Sequence, residues 1–87
     1  MFVILCYDVN QSRNVKVKKV VRKYLRPVQK SVCDGFISEA ALKKLCERLS
    51  DIIDTNEDSV VVYKSSDYNA AEKICLGNVN LNEDFII

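Results

Sequence analysis

The first strand-length segment of this chain has no polar face. Phe2-Val3-Ile4-Leu5-Cys6-Tyr7 is an unbroken apolar run, β-branched and aromatic, that stops at Asp8. A strand with one solvated side alternates apolar and polar residues, so an uninterrupted run implies cover on both sides. The chain must supply, or borrow, two layers of cover for this one strand.

Its own supply is two helices. Between Arg13 and Leu25 the apolar residues Val17, Val20, Val21, Tyr24 and Leu25 recur at helical spacing and leave Lys16, Lys19, Lys23 and Arg26 opposite. Ser12 is placed to cap this helix and Pro27 to end it. A second helix is expected from the cap Ser38 to about Ile53, because Leu42, Leu45, Cys46, Leu49, Ile52 and Ile53 form one apolar stripe. Val28 to Ile37 reads as a short strand turning into a longer one, interrupted at Lys30-Ser31 and Asp34-Gly35. Ser59 to Lys64 is another strand, Ser66 to Ala71 a helical turn, and Lys73 to Leu76 a short strand stopped by Gly77.

Strand, helix, two strands, helix, strand is the ferredoxin-like βαββαβ plan, an α+β fold with both helices on one face of a sheet. With 87 residues the chain forms a single domain, 1–87. Both helices are then spent on one face, and the simplest cover for the other is a second copy of the chain. The closing Phe85-Ile86-Ile87 points the same way. A free apolar tail is an aggregation hazard, so the segment from about 79 to 87 is expected to pair with a sheet edge, its own or a partner's.

Charge is strongly segregated although the total is only +1. Arg13, Lys16, Lys18, Lys19, Arg22, Lys23, Arg26 and Lys30 stand between Val9 and Cys33 with no acidic residue among them, and the rest of the chain is net acidic. A concentrated basic stripe fits a polyanionic partner such as nucleic acid; a lysine-rich solvated helix face is the plainer account.

Little else could do chemistry. With no histidine, the commonest general base is missing and zinc-ligand spacing is absent. Cys6, Cys33, Cys46 and Cys75 form no Cys-x-x-Cys pair and read as buried free thiols, as in a reducing cytoplasm. No apolar stretch approaches the length of a membrane span. Glu39 belongs at a helix start, while Asp51, Asp54, Glu57 and Asp58 read as solvated turn residues. Tyr7, Tyr24 and Tyr63 read as packed aromatics.

What remains is Asp8, at the carboxyl end of the first strand and the mouth of the basic helix. A hard cation such as magnesium suits one or two carboxylates together with waters and phosphates. One Asp is a thin site, but a twofold axis near the strand end would bring two copies of Asp8 together. On spacing alone, an aspartate that caps the following turn is the simpler account.

The Tyr7-Asp8 strand end, Arg13, and the segment Val28-Gln29-Lys30-Ser31-Val32-Cys33-Asp34-Gly35 together resemble the CRISPR-associated protein 2 family. The likeness runs nearly end to end, through the valines at 60–62 to the apolar tail. It implies a ferredoxin-like homodimer whose C-terminal strand extends the partner's sheet. It also implies one magnesium ion shared by two Asp8 carboxylates, with Asp8 the catalytic and metal-binding residue of an endonuclease acting on RNA or double-stranded DNA. Some members are instead non-catalytic scaffolds of spacer acquisition that bridge dimers of the integrase subunit, CRISPR-associated protein 1. The resemblance marks Arg13 as a phosphate contact. Lys16, Lys19, Arg22, Lys23 and Arg26 are the further candidates for nucleic-acid binding on the basic stripe, and Phe85, Ile86 and Ile87 for the dimer interface. A third possibility is a toxin-like ribonuclease of the same fold. Cys33 replaces an aromatic residue frequent in the family and Pro27 an arginine, departures that bear on nuclease activity more than on fold.

Overall fold

A computed structural model describes residues 1–65 and 72–78. The elements run β1 (Phe2–Asp8), α1 (Gln11–Val21), β2 (Arg26–Gln29), β3 (Val32–Phe36), α2 (Glu39–Ile52), β4 (Ser59–Ser65) and β5 (Glu72–Gly77). The strands form one sheet in the order β2-β3-β1-β4-β5, antiparallel throughout. The first four strands have the ferredoxin-like arrangement, and β5 adds a fifth beside β4.

β1 lies at the centre and its side chains alternate across the sheet. Val3, Leu5 and Tyr7 point inward, where they meet Val60 and Val62 of β4, Val17 and Val21 of α1, and Leu42, Leu45 and Leu49 of α2, all buried. Phe2, Ile4, Cys6 and Asp8 point to the other side. Their register partners there are Phe36, Asp34 and Val32 on β3 and Ser65, Tyr63, Val61 and Ser59 on β4. Nothing in the described chain lies over this outer face: Phe36 is 82% exposed, Tyr63 41% and Ile4 38%. Phe2 and Phe36 pack edge to face there, with ring centroids 5.2 Å apart. The apolar character of β1 on both sides thus has two origins, a helix-covered core and a bare apolar face.

The helices differ in how well local signals fix them. Ser38 caps α2 as expected, its hydroxyl accepting the Ala41 N–H at 3.1 Å. In α1 the cap is Asn10, not Ser12; the Asn10 side chain accepts the Ser12 N–H at 3.0 Å, so the helix starts two residues early. It also ends at Val21 instead of running to Leu25. Lys23 and Tyr24 donate to Val20 and Val21 in tighter, three-residue turns. Pro27 disfavours helical backbone at Arg26, so the turn must be finished before it. Leu25 still reaches the core.

β2 is a weak edge: four residues, all exposed, with Pro27 in the middle and a bulge between Pro27 and Gln29. The β5 strand closes the opposite side and ends at Gly77, whose φ of +81° lies in the left-handed region. The expected helical turn at Ser66–Ala71 and the tail residues Phe85, Ile86 and Ile87 lie outside the described residues.

Candidate functional site

Asp8 is the last residue of β1 and lies opposite Ser59 of β4. Its side chain falls on the outer face of the sheet and is exposed. Among the described residues no side chain pairs with its carboxylate. Nor do the described residues contain three or more His, Cys, Asp or Glu grouped to hold a metal. Among the described residues this strand end therefore offers one hard, solvent-facing carboxylate, not a closed cage. That donor fits magnesium, which binds through few carboxylates and keeps its waters, and it does not fit a structural zinc site.

Directly beside this strand end is a buried carboxylate that the sequence reading placed in solvent. Asp58, in the turn before β4, is fully buried. Its Oδ1 accepts the backbone N–H of Asn10 at 2.9 Å, its Oδ2 that of Asp54 at 2.8 Å, and the Arg13 guanidinium donates to both oxygens. A carboxylate removed from water needs such a set of donors. The Arg13 hydrogen bonds, followed by the two backbone N–H groups, outweigh desolvation and hold the Asp58 carboxyl well below the usual carboxylate range. Arg13 also donates to Glu57. Asp58, then Glu57, hold its guanidinium protonated far beyond its ordinary range. The sequence reading made Arg13 a phosphate contact. In the fold it is the partner of Asp58 and Glu57, with Nε and one terminal nitrogen already used.

The other basic residues are distributed along α1 and the turn after it. Lys16 and Lys19 are exposed on the helix, and Arg22 and Lys23 are exposed just beyond it. Arg22 to Pro27 line a shallow recess of about 540 Å³. Arg26 lies not on the helix but on β2, where its Nε donates to Asp34 at 2.8 Å; that hydrogen bond raises its pKa. The fold thus leaves Lys16, Lys19, Arg22 and Lys23 exposed along α1 and the turn after it, and ties Arg13 and Arg26 to carboxylates.

All four thiols are free, and they are not uniformly buried: Cys33 is interior, Cys6 and Cys46 are half-buried, and Cys75 is exposed on β5. Burial pushes Cys6, Cys33 and Cys46 up, away from the reactive thiolate. Sequence reasoning missed the Asp58 network because a cluster of acidic turn residues carries no mark of which one is interior. A basic residue 45 positions away is no local signal either.

Comparison with known proteins agrees with this architecture. The family model for CRISPR associated protein Cas2 matches residues 1–73. A CRISPR-associated endoribonuclease Cas2 of Thermotoga maritima is 48% identical over 63 residues, 72% of each chain. One from Frankia alni is 37% identical over 87 residues, the full length of both. A crystal structure of Cas2 superposes with a TM-score of 0.70 at 39% identity, covering 80% of this chain and 84% of that one. With a matching family model and relatives of this closeness over this much of the chain, the protein belongs to the CRISPR-associated Cas2 family.

Proposed function

We propose that this chain acts as a homodimer on nucleic acid in CRISPR adaptation and cleaves phosphodiester bonds of RNA or double-stranded DNA with magnesium held at Asp8. One observation carries the reading. Asp8, exposed and without a side-chain partner among the described residues, stands on a bare apolar sheet face, and α1, which begins three residues later, carries an exposed basic track. The apolar face calls for a second copy, the track for a polyanion, and the carboxylate for a hard cation. The endoribonuclease names of the relatives accord with it.

In this reading, pairing through the outer face sets two Asp8 residues across a twofold axis, and the apolar tail around Phe85, Ile86 and Ile87 joins the partner's sheet. Bound magnesium would supply an activated water and charge neutralisation at the phosphate. Asp8 of each subunit would hold the ion, while Lys16, Lys19, Arg22 and Lys23 would bind and orient the backbone without reading its sequence. No helix among the described residues is long and apolar enough to cross a membrane; we place the protein in the cytoplasm with the nucleic acid it binds.

A second reading has its own support. The chain has no histidine, and each copy brings one carboxylate to the site. That sparse chemistry suits a non-catalytic scaffold that holds DNA and bridges dimers of the CRISPR-associated integrase subunit. Purified wild type and Asp8→Asn, incubated with RNA or duplex DNA and magnesium, separate the two. Cleavage by wild type alone supports the enzyme. No cleavage by either, with duplex binding intact in both, supports the scaffold. Cleavage by both assigns the activity elsewhere.

A further inference from the structure

We infer that Asp58 is the positioning residue for Asp8: together with Arg13 it fixes the β1–α1 loop and so sets where the Asp8 carboxylate stands. This rests on the reading of Asp8 as a metal ligand.

The loop after β1 is short and lacks strand partners of its own. Val9 and Asn10 are all that separates β1 from α1, and Asp8 is the last residue with a strand partner. Asp58 supplies the missing restraint from four directions. Its Oδ1 accepts the Asn10 N–H, two residues beyond Asp8. Its carboxylate takes the fork of Arg13, in the first turn of α1. Its Oδ2 closes its own turn through the Asp54 N–H. The next residue, Ser59, is the backbone partner of Asp8. Asp8 is thus held on the strand side by Ser59 and on the loop side by Asn10, and both restraints lead to one buried side chain.

Interior position separates the two aspartates. Asp58 is fully enclosed and both of its carboxylate oxygens are engaged by donors, so it is closed to metal and substrate. Asp8 is exposed and has no side-chain partner among the described residues, so nothing described around it orients its carboxylate. A ligand of this kind gains precision from groups behind it, and loss of such support typically weakens metal affinity by about 10- to 100-fold. Asparagine at position 58 would keep the shape but turn an NH₂ toward an N–H donor, so at least one of the restraints must open.

The test uses the full-length protein and manganese ions in place of magnesium, with free Mn²⁺ counted by electron paramagnetic resonance. Wild type should bind Mn²⁺ and Asp8→Asn should not. Asp58→Asn should bind about tenfold more weakly with unchanged circular dichroism and oligomeric state. Arg13→Gln, which leaves Asp58 its two backbone donors, should also bind more weakly and serves as the test if Asp58→Asn does not fold. Ile37→Ala, a core truncation beside Met1 at the opposite end of β1, should bind as wild type does. Wild-type affinity in both Asp58→Asn and Arg13→Gln, with Asp8→Asn silent, would overturn the positioning role alone. Equal weakening by Ile37→Ala would overturn it too, by showing that any loss of stability suffices. Identical Mn²⁺ binding by wild type and Asp8→Asn would instead remove the metal reading, and this inference with it.

Discussion

The backbone of Gly77 runs so close to Asp58 that a β-carbon at Gly77 would stand 2.1 Å from the Asp58 carbonyl oxygen. That oxygen accepts the Asn78 N–H at 2.8 Å, and the Asn78 side chain donates to the Asn56 carbonyl at 3.2 Å. The end of β5 is therefore seated on the same turn that holds Arg13. Gly77→Ala adds both a clash with backbone and a left-handed φ that alanine tolerates poorly. It should cost about 2–3 kcal/mol, read as a lower urea midpoint.

Acid should weaken the fold through Asp58 in a defined window. Arg13 and the two backbone donors make the Asp58 proton easier to lose in the folded chain than in the unfolded one. In acid the unfolded state therefore binds the extra proton, and stability falls as pH falls. The contribution is complete above the unfolded carboxylate value, about pH 4. It is lost progressively below that, as pH descends toward the depressed folded value. Thermal melts from neutral pH down to about pH 2 should show this decline in wild type. Asp58→Asn should be less stable at neutral pH and show a flatter acid limb.

Asp8 should behave in the opposite way. It is exposed and makes no side-chain bond among the described residues, so Asp8→Asn should change unfolding free energy by less than about 0.5 kcal/mol. Any magnesium-dependent cleavage should nevertheless disappear. A large stability loss in denaturant titration would contradict the exposed, unpaired placement.

On the basic track, charge removal should act on affinity without regard to sequence. The double variant Lys16→Gln, Lys19→Gln should weaken duplex binding equally for unrelated sequences. The slope of log K against log salt should become shallower by about 0.9 for each phosphate that the variant no longer neutralises. Arg26→Gln should do less, since Arg26 is already engaged by Asp34. Fluorescence anisotropy across a salt series checks both.

The bare sheet face makes its own prediction. Ile4→Arg puts a charge in the middle of the outer face, between Asp34 and Tyr63, at a position 38% exposed in the single chain. Sedimentation should show the proposed dimer in wild type and a monomer in the variant, with the secondary structure intact.

These expectations also show how far the residues alone could lead. The stripe Leu42, Leu45, Leu49 with its cap Ser38 was readable because helix, burial and cap are all local signals. The unbroken run in β1 announced an apolar outer face besides the core, although nothing in the described chain covers that face, and the element order carried the topology. The ends of α1 were misread because Asn10 competes with Ser12 for the cap, and because Pro27 acts on the backbone ahead of it rather than at its own position. Within the site, Asp8 stood out as a polar residue stopping an apolar strand. Asp58 did not. Its burial is produced by Asn10 and Arg13 at the start of α1 and Gly77 at the end of β5 converging on it, a relation that exists only once the chain has folded.

The frail β2 margin limits how large an assembly can become. Proline, a kink in the ladder and a length of four residues leave little for another strand to grip. Among the described residues only the β5 side is left for another strand, and sheets that can join through one margin stop growing as soon as two copies meet. That favours the closed pair proposed above over an endless fibril.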